Sequence, residues 1–368
     1  MNVTLRPQAE APAAGRLGVI DCDIHPARRS AADLAPYLER RWQDLAETFG
    51  TGRRLGYVDG VAYPKGQPGA ARRDAAPPEG GPAGSSLSFM QAQHLDPNGV
   101  AFGILNPLGL TGQGLRNLDL AAAYARAVND WQLAEWVGRD PRLRASVVVS
   151  YEDPPAAVAE IDRRAGNKAF AHVLLLTRTA EPLGQRKYWP IYDAAARAGL
   201  PVGIHAFGYG GWPMTAGGWP SYYIEEMTGH AQTAQSQLVS LLLEGVFARI
   251  PGLRVVLIEA GFAWAPSLLW RLDRTWARMR AETPYLSEPP SAYARRHVWW
   301  TTQPMEEPER HRQLLDVIGW LGWDRLLFAT DYPHWDFDDP AEVLASGGSE
   351  AERRGLFRDN AAALYGLA

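Results

Sequence analysis

Cysteine is nearly absent: Cys22 is the single copy in 368 residues, which excludes an intramolecular disulfide and a cysteine-rich zinc module. Long apolar runs are missing as well. None reaches the ~18–20 residues needed to span a bilayer. The polar N-terminus, MNVTLRPQAEAPAAGRLG, carries no apolar signal core, so a cytoplasmic location without a membrane partner is expected. Neither sign of charge dominates. With 37 Lys+Arg against 41 Asp+Glu the net charge is −4, which leaves no basic footprint for a nucleic acid. There is no internal repeat, and no Gly-x-Gly-x-x-Gly follows the first strand-like run. What the chain does have is apolar mass. Hydrophobic residues make up 46% and charged residues 21%, a mixture that folds rather than staying disordered. Fourteen tryptophans point to aromatic-lined surfaces as well as core.

Eight short apolar runs recur along the chain: Gly18–Cys22, Val100–Leu105, Ala145–Val149, His172–Leu176, Pro201–Ile204, Arg254–Ile258, Val298–Thr302 and Leu326–Thr330. Near-continuous apolar runs of this length suit strands buried on both faces of a parallel sheet. Helical patterns lie between them, at Leu120–Val137, Pro155–Arg164, Tyr188–Arg197, Gln235–Arg249, Ala265–Arg280 and Leu314–Leu321, with Pro340–Leu367 closing the chain. Eight strand–helix units in one domain predict a closed (β/α)8 barrel of the TIM type spanning residues 1–368. A Pro- and Gly-rich insertion, residues 50–88, separates strands one and two. It reads either as a disordered surface segment or as a lid at the catalytic mouth. Arg53, Arg54, Arg72 and Arg73 favour contact with an anionic group or a second subunit. Residues Gly66–Ser86 are expected to contain no long helix or strand.

The polar residues at the strand ends carry the chemistry. Strand one ends in Asp23-Ile24-His25, strand five in His205, strand six in Glu259 and strand eight in Asp331. In a barrel these groups converge at the carboxyl-end mouth, where catalytic residues collect. Two histidines with one or two carboxylates around an open position make a divalent-metal site, with zinc the leading expectation and manganese the next. His334, in Asp331-Tyr332-Pro333-His334, either orients a ligand or touches substrate. His230 is a candidate acid/base, whereas His94, His172, His297 and His311 read as structural. The strand-five loop combines glycines with Trp212, Trp219, Tyr222 and Tyr223, which suits a lid over a flat substrate. Trp264, with Trp299 or Trp300, extends that wall.

The segments IDCDIHP, PVGIHAFG, GVFARIPGLRVVLIEAGFAWAPSLLWRLDRTW and LLFATDYPHWDFDDP resemble the amidohydrolase superfamily. The branch they resemble is the amidohydrolase-related one that includes aminocarboxymuconate-semialdehyde decarboxylase and the hydroxybenzoate decarboxylases. The resemblance implies a metal-bearing (β/α)8 barrel, a homodimer, and metal ligands at Asp23, His25, His205 and Asp331. Two positions depart from the family pattern. Asp23 stands where a histidine is usual, and Glu259 stands where the semialdehyde decarboxylase type has a catalytic histidine. The function expected is a metal-dependent hydrolase of a small planar cyclic or aromatic substrate. In it Asp331 shuttles the proton of a metal-activated water and Glu259 orients substrate or acts as a second acid/base. A non-oxidative decarboxylase of an aromatic or unsaturated carboxylic acid is the alternative. A non-catalytic scaffold is disfavoured because all four ligand positions keep metal-capable side chains.

Overall fold

The computed structural model describes residues 18–50, 70–208, 215, 217–343 and 347–367. Among them, eight strands form one parallel sheet in strict sequence order. They are β1 (Val19–Ile24), β2 (Val100–Leu105), β3 (Leu143–Val148), β4 (Phe170–Leu176), β5 (Val202–His205), β6 (Val255–Ile258), β7 (Val298–Thr301) and β8 (Leu326–Leu327). Each expected apolar run contributes one strand, within a few residues of its expected ends. The sheet closes on itself at the β1–β8 seam. There Cys22 N donates to Phe328 O (2.9 Å) and His25 N to Tyr332 O (2.7 Å), making the architecture a (β/α)8 barrel. The runs are apolar throughout because both faces of the sheet are covered, as β4 shows with seven consecutive buried residues.

The helices are α1 (Arg40–Phe49), α2 (Leu87–Met90), α3 (Leu118–Gln132), α4 (Pro154–Arg164), α5 (Trp189–Arg197) and α6 (Tyr223–Leu243). The rest are α7 (Val246–Arg249), α8 (Ala265–Arg278), α9 (Pro290–His297), α10 (His311–Leu321), α11 (Glu350–Arg354) and α12 (Asn360–Tyr365). Local chemistry sets several starts. The Asn117 side chain accepts from Leu120 N at 3.1 Å to cap α3. Asp153 caps α4, with Pro154 at the first helical position, where its missing N–H costs nothing.

Two helical expectations need correction. The helix predicted from Gln235 begins twelve residues earlier, at Tyr223, and carries His230 on its second turn rather than in a loop. The start is silent in sequence because Tyr222 provides no side-chain cap. The closing helix predicted from Pro340 starts only at Glu350, capped by Ser349, and passes through a π-turn at Gly355–Asp359.

Of the insertion, residues 51–69, which include Arg53 and Arg54, lie outside the described residues. Residues 70–86 hold a single 3-10 turn and an isolated bridge from Ala71 to His334. This stretch is laid along the loop after β8, with Arg72 N donating to Pro333 O and Trp335 N to Ala70 O. The Arg72 guanidinium faces Asp74 (2.6 Å) and the Phe337 ring.

Candidate metal and catalytic site

The barrel brings Asp23, His25, His205, Glu259 and Asp331 together at the carboxyl ends of β1, β5, β6 and β8. All five are buried. β1 shifts register against β2 between Asp21 and Ile24, across the first donor. Such irregularities re-aim side chains near active sites. Glu259 and Asp331 both sit at positive φ (52° and 62°), a region non-glycine residues seldom occupy. Their backbones turn sharply where the strands end, which directs the carboxylates into the mouth.

The distances are short. His25 Nε2 lies 2.6 Å from Asp331 Oδ1 and 3.4 Å from Asp23 Oδ1. His205 Nε2 lies 3.2 Å from Asp23 Oδ2 and 3.4 Å from Glu259 Oε2. His334 stacks on the His25 ring (centroids 4.5 Å apart), and its Nδ1 is 2.7 Å from the same Asp331 oxygen. The unused ring nitrogens show what belongs at the centre. His25 Nδ1 donates to Asn106 O at 2.7 Å, and His205 Nδ1 donates to Ala206 O. With each Nδ1 engaged in this way, each Nε2 faces the centre of the cluster. His205 Nε2 and Asp23 Oδ2 face one another without any hydrogen-bond partner in a fully buried setting. Two buried polar atoms at that distance call for a positive charge between them, and a metal ion supplies one. Three overlapping groups have donor atoms close enough to share a divalent ion, Asp23–His25–His205, His25–Asp331–His334 and Asp23–Glu259–Asp331, and between them they include the four expected ligands Asp23, His25, His205 and Asp331.

The titration of the cluster follows from burial and proximity. Burial opposes charge on His25, yet the carboxylates of Asp23 and Asp331 outweigh it and push its pKa up to about 9. Burial likewise opposes ionisation of Asp331, but His334 and His25 hold its carboxyl well below the usual range. Glu259 goes the other way. Burial first, then the charges of Asp331 and Asp23, raise it well above an ordinary glutamate, which favours its protonated form. Burial lowers His230 to about 4, so it is a neutral imidazole, with Nδ1 buried and unpartnered.

A cavity of about 450 Å³ opens beside His25 and His334, walled by Ala27, Ala31, Ala71, Leu108 and Trp131. Its size and apolar walls suit a single-ring ligand. Of the four expected substrate contacts, His334 lines it. Tyr222 is half exposed at the start of α6, and Trp264 packs edge-on against Trp300 with its indole N–H on Ala260 O. Trp212 lies outside the described residues.

Sequence reasoning overlooked Asn106 and Gln303. Asn106 Nδ2 donates to Asp23 Oδ1 (2.9 Å), and Gln303 Nε2 donates to Asp331 Oδ2 (3.2 Å). The strand-end rule that found the acids and histidines reaches both, because Asn106 directly follows β2 and Gln303 lies two residues beyond β7. It was applied only to metal-binding residue types. His172 and His94, read as structural, prove to be tied to the site through Asn106 and Asp21.

Residues 20–367 match the amidohydrolase family, almost the whole chain. The chain belongs to the amidohydrolase family. Among its curated relatives, the gamma-resorcylate decarboxylase of Polaromonas sp. is 27% identical over 292 residues, covering 74% of this chain and 85% of the relative. That of Rhodococcus jostii is 28% identical over 280 residues, covering 69% and 80%. Solved structures share the fold of this amidohydrolase at lower identity. A dihydroxybenzoic acid decarboxylase from Polaromonas sp., solved with manganese and 2-nitroresorcinol, matches at 21% identity and TM-score 0.68 over 96% of this chain and 98% of that one. A 5-carboxyvanillate decarboxylase from Novosphingobium aromaticivorans, solved with manganese and 4-hydroxy-3-methoxy-5-nitrobenzoic acid, matches at 19% identity and TM-score 0.70 over 99% and 100%.

These relatives overturn the hydrolase expectation, since the curated proteins that this amidohydrolase resembles over most of its length cleave a carbon–carbon bond. The physical reason for the error is plain. A metal-binding quartet with a nearby glutamate serves either reaction, and replacement of the strand-six histidine by Glu259 removes one proton donor while supplying another. Among the described residues, no helix is long and apolar enough to cross a membrane.

Proposed function

We propose that the chain is a metal-dependent, non-oxidative decarboxylase of a hydroxylated aromatic carboxylic acid. One observation carries this reading: Asp23, His25, His205 and Asp331 are buried and linked by short pairwise contacts in a chain 27% identical, over 74% of its length, to a resorcylate decarboxylase. Manganese is preferred to the zinc first expected, because a set with two carboxylate oxygens suits a harder ion and two structural neighbours hold manganese. When bound, the ion would supply the positive charge that grips the substrate's carboxylate and an adjacent ring oxygen.

In this reading the protein groups divide the remaining work. Glu259 delivers its proton to the ring carbon that bears the carboxylate, so a C–H bond forms as the Glu259 O–H bond breaks. The C–C bond then breaks, its electron pair restores the aromatic ring, and CO2 leaves. Glu259, now a carboxylate, regains a proton from water. Its burial, the largest cause of its raised pKa, persists when a cation offsets Asp23 and Asp331. His230 is neutral and serves as a hydrogen-bonding group rather than as the acid. His334 steadies His25 and Asp331 at the cavity wall, and Tyr222 and Trp264 remain candidate outer contacts.

The chain acts as one barrel domain with residues 50–88 as a mouth insertion, its partner is a small molecule, and a homodimer is its assembly. The test is to incubate the purified protein and Mn²⁺ with 2,6-dihydroxybenzoate and a panel of hydroxybenzoates, following products by mass spectrometry. Loss of CO2 from at least one is expected. Unchanged acids across the panel, in a protein that binds Mn²⁺, would sink the assignment.

A further inference from the structure

Beside the four donors stands a buried pair that the proposed chemistry does not use, Asn106 after β2 and His172 on β4. Both are fully buried. Asn106 meets the site three times. Its Nδ2 donates to Asp23 Oδ1 (2.9 Å) and reaches Cys22 O (3.3 Å), and its backbone oxygen accepts from His25 Nδ1 (2.7 Å). Its Oδ1 is 2.9 Å from His172 Nε2.

The directions are forced. An ionised Asp23 only accepts, so the amide nitrogen of Asn106 must face it, which leaves the amide oxygen to His172. His172 then carries its proton on Nε2, and its Nδ1 is buried without a partner. Burial lowers His172 to about 3, which keeps it neutral and fixes it as a single-tautomer donor. The neighbouring strand makes room for this ring. A Cβ on Gly203 would stand 2.7 Å from His172 Nε2, so β5 has no side chain where His172 lies.

We infer that Asn106, braced by His172, is the positioning residue that occupies Asp23 Oδ1 and leaves Asp23 Oδ2 and His25 Nε2 presented to the cation. The inference rests on the metal-binding reading of the quartet. Without Asn106 the Asp23 carboxylate loses the contact that fixes its rotation, so neither oxygen is held in the orientation that faces the histidines. Outer partners of this kind change metal affinity by roughly 10–100-fold when removed.

The experiment is equilibrium dialysis of the full chain against Mn²⁺, with the electron paramagnetic resonance spectrum of the bound ion as a second readout. Asn106→Ala is expected to weaken Mn²⁺ binding by roughly 10–100-fold and to broaden the spectrum. His172→Leu, which removes the donor, should weaken it in the same direction. His172→Gln, which restores an N–H to the Asn106 oxygen, should recover most of the affinity. Asn129→Ala is the control. That buried asparagine bonds Val148 and Glu160 away from the site, so its loss should lower Tm while leaving Mn²⁺ affinity unchanged. Should Asn106→Ala fail to fold, the His172 pair carries the test alone. Wild-type affinity in the folded Asn106→Ala chain, or equal affinities for His172→Leu and His172→Gln, overturns the inference. An unmodified chain that holds no Mn²⁺ overturns the metal reading and this inference with it.

Discussion

Glu259 is the residue on which the proposed reaction turns. Glu259→Gln keeps the size and hydrogen-bonding capacity but removes the transferable proton. It is expected to lower kcat by roughly 10²–10⁴-fold with Mn²⁺ content unchanged, by steady-state kinetics and metal analysis. His205→Ala should do the reverse and strip the metal, because its Nε2 belongs to the quartet and no other described donor stands at the end of β5. His25 sets a pH dependence. Its folded pKa of about 9 exceeds the ordinary 6.5, so in metal-free protein its contribution to stability is complete below 6.5 and is lost as pH rises through about 9. A cation competes with that same proton. The gain in Tm on adding Mn²⁺, read by scanning calorimetry, should therefore widen from pH 6.5 to about 9. The four candidate ligands were legible because His and Asp at strand ends advertise metal chemistry. The strand-end position of Asn106 was equally legible, but its role was not, since an amide after a strand usually caps a turn and only its distance to Asp23 reveals its work.

At the scale of the strand and helix, the β1–β8 seam is held by a buried acid. Asp21 accepts from His94 Nε2 (2.8 Å), Thr330 Oγ1 (2.6 Å), Thr330 N (3.0 Å) and Asp23 N (3.2 Å). It thereby ties the strand that carries Asp23 and leads into His25 to the loop carrying Asp331. Asp21→Ala leaves several buried donors unpaired and is expected to destabilise the fold by about 3 kcal/mol or more, measured by urea unfolding. Strand positions were legible from apolar runs, because two-sided burial writes itself into residue type at every position. The onset of α6 was not. Tyr223–Gly229 holds a threonine and a glycine and lacks a cap, so tertiary packing rather than local preference decides its state. The consequence reached the site, since His230, a candidate acid/base, lies within this uncapped part of the helix.

For the molecule as a whole, the barrel was predictable and the reaction was not. Strand count, order and closure follow from repetition, whereas hydrolysis and decarboxylation differ only in what the same groups do to the bound substrate. The proposed chemistry leaves a signature that does not depend on any variant. Turnover in D2O should place one deuterium on the product ring at the carbon that lost its carboxylate, seen by NMR, and hydrolysis would place none there. Supplying the phenolic product with concentrated bicarbonate should drive the reaction backward to a detectable extent, because no oxidant is consumed in either direction.

Glu259 at φ 52° also has an evolutionary meaning. Glycine adopts that conformation freely, and a buried carboxyl there adds a desolvation cost to the backbone strain, of order 1–3 kcal/mol for the strain alone. Selection for folding alone would favour Glu259→Gly, and only selection for turnover opposes it. That variant should melt higher than the parent in the absence of metal while losing its catalysis. A lineage released from its substrate would then drift toward a sturdier, inert barrel.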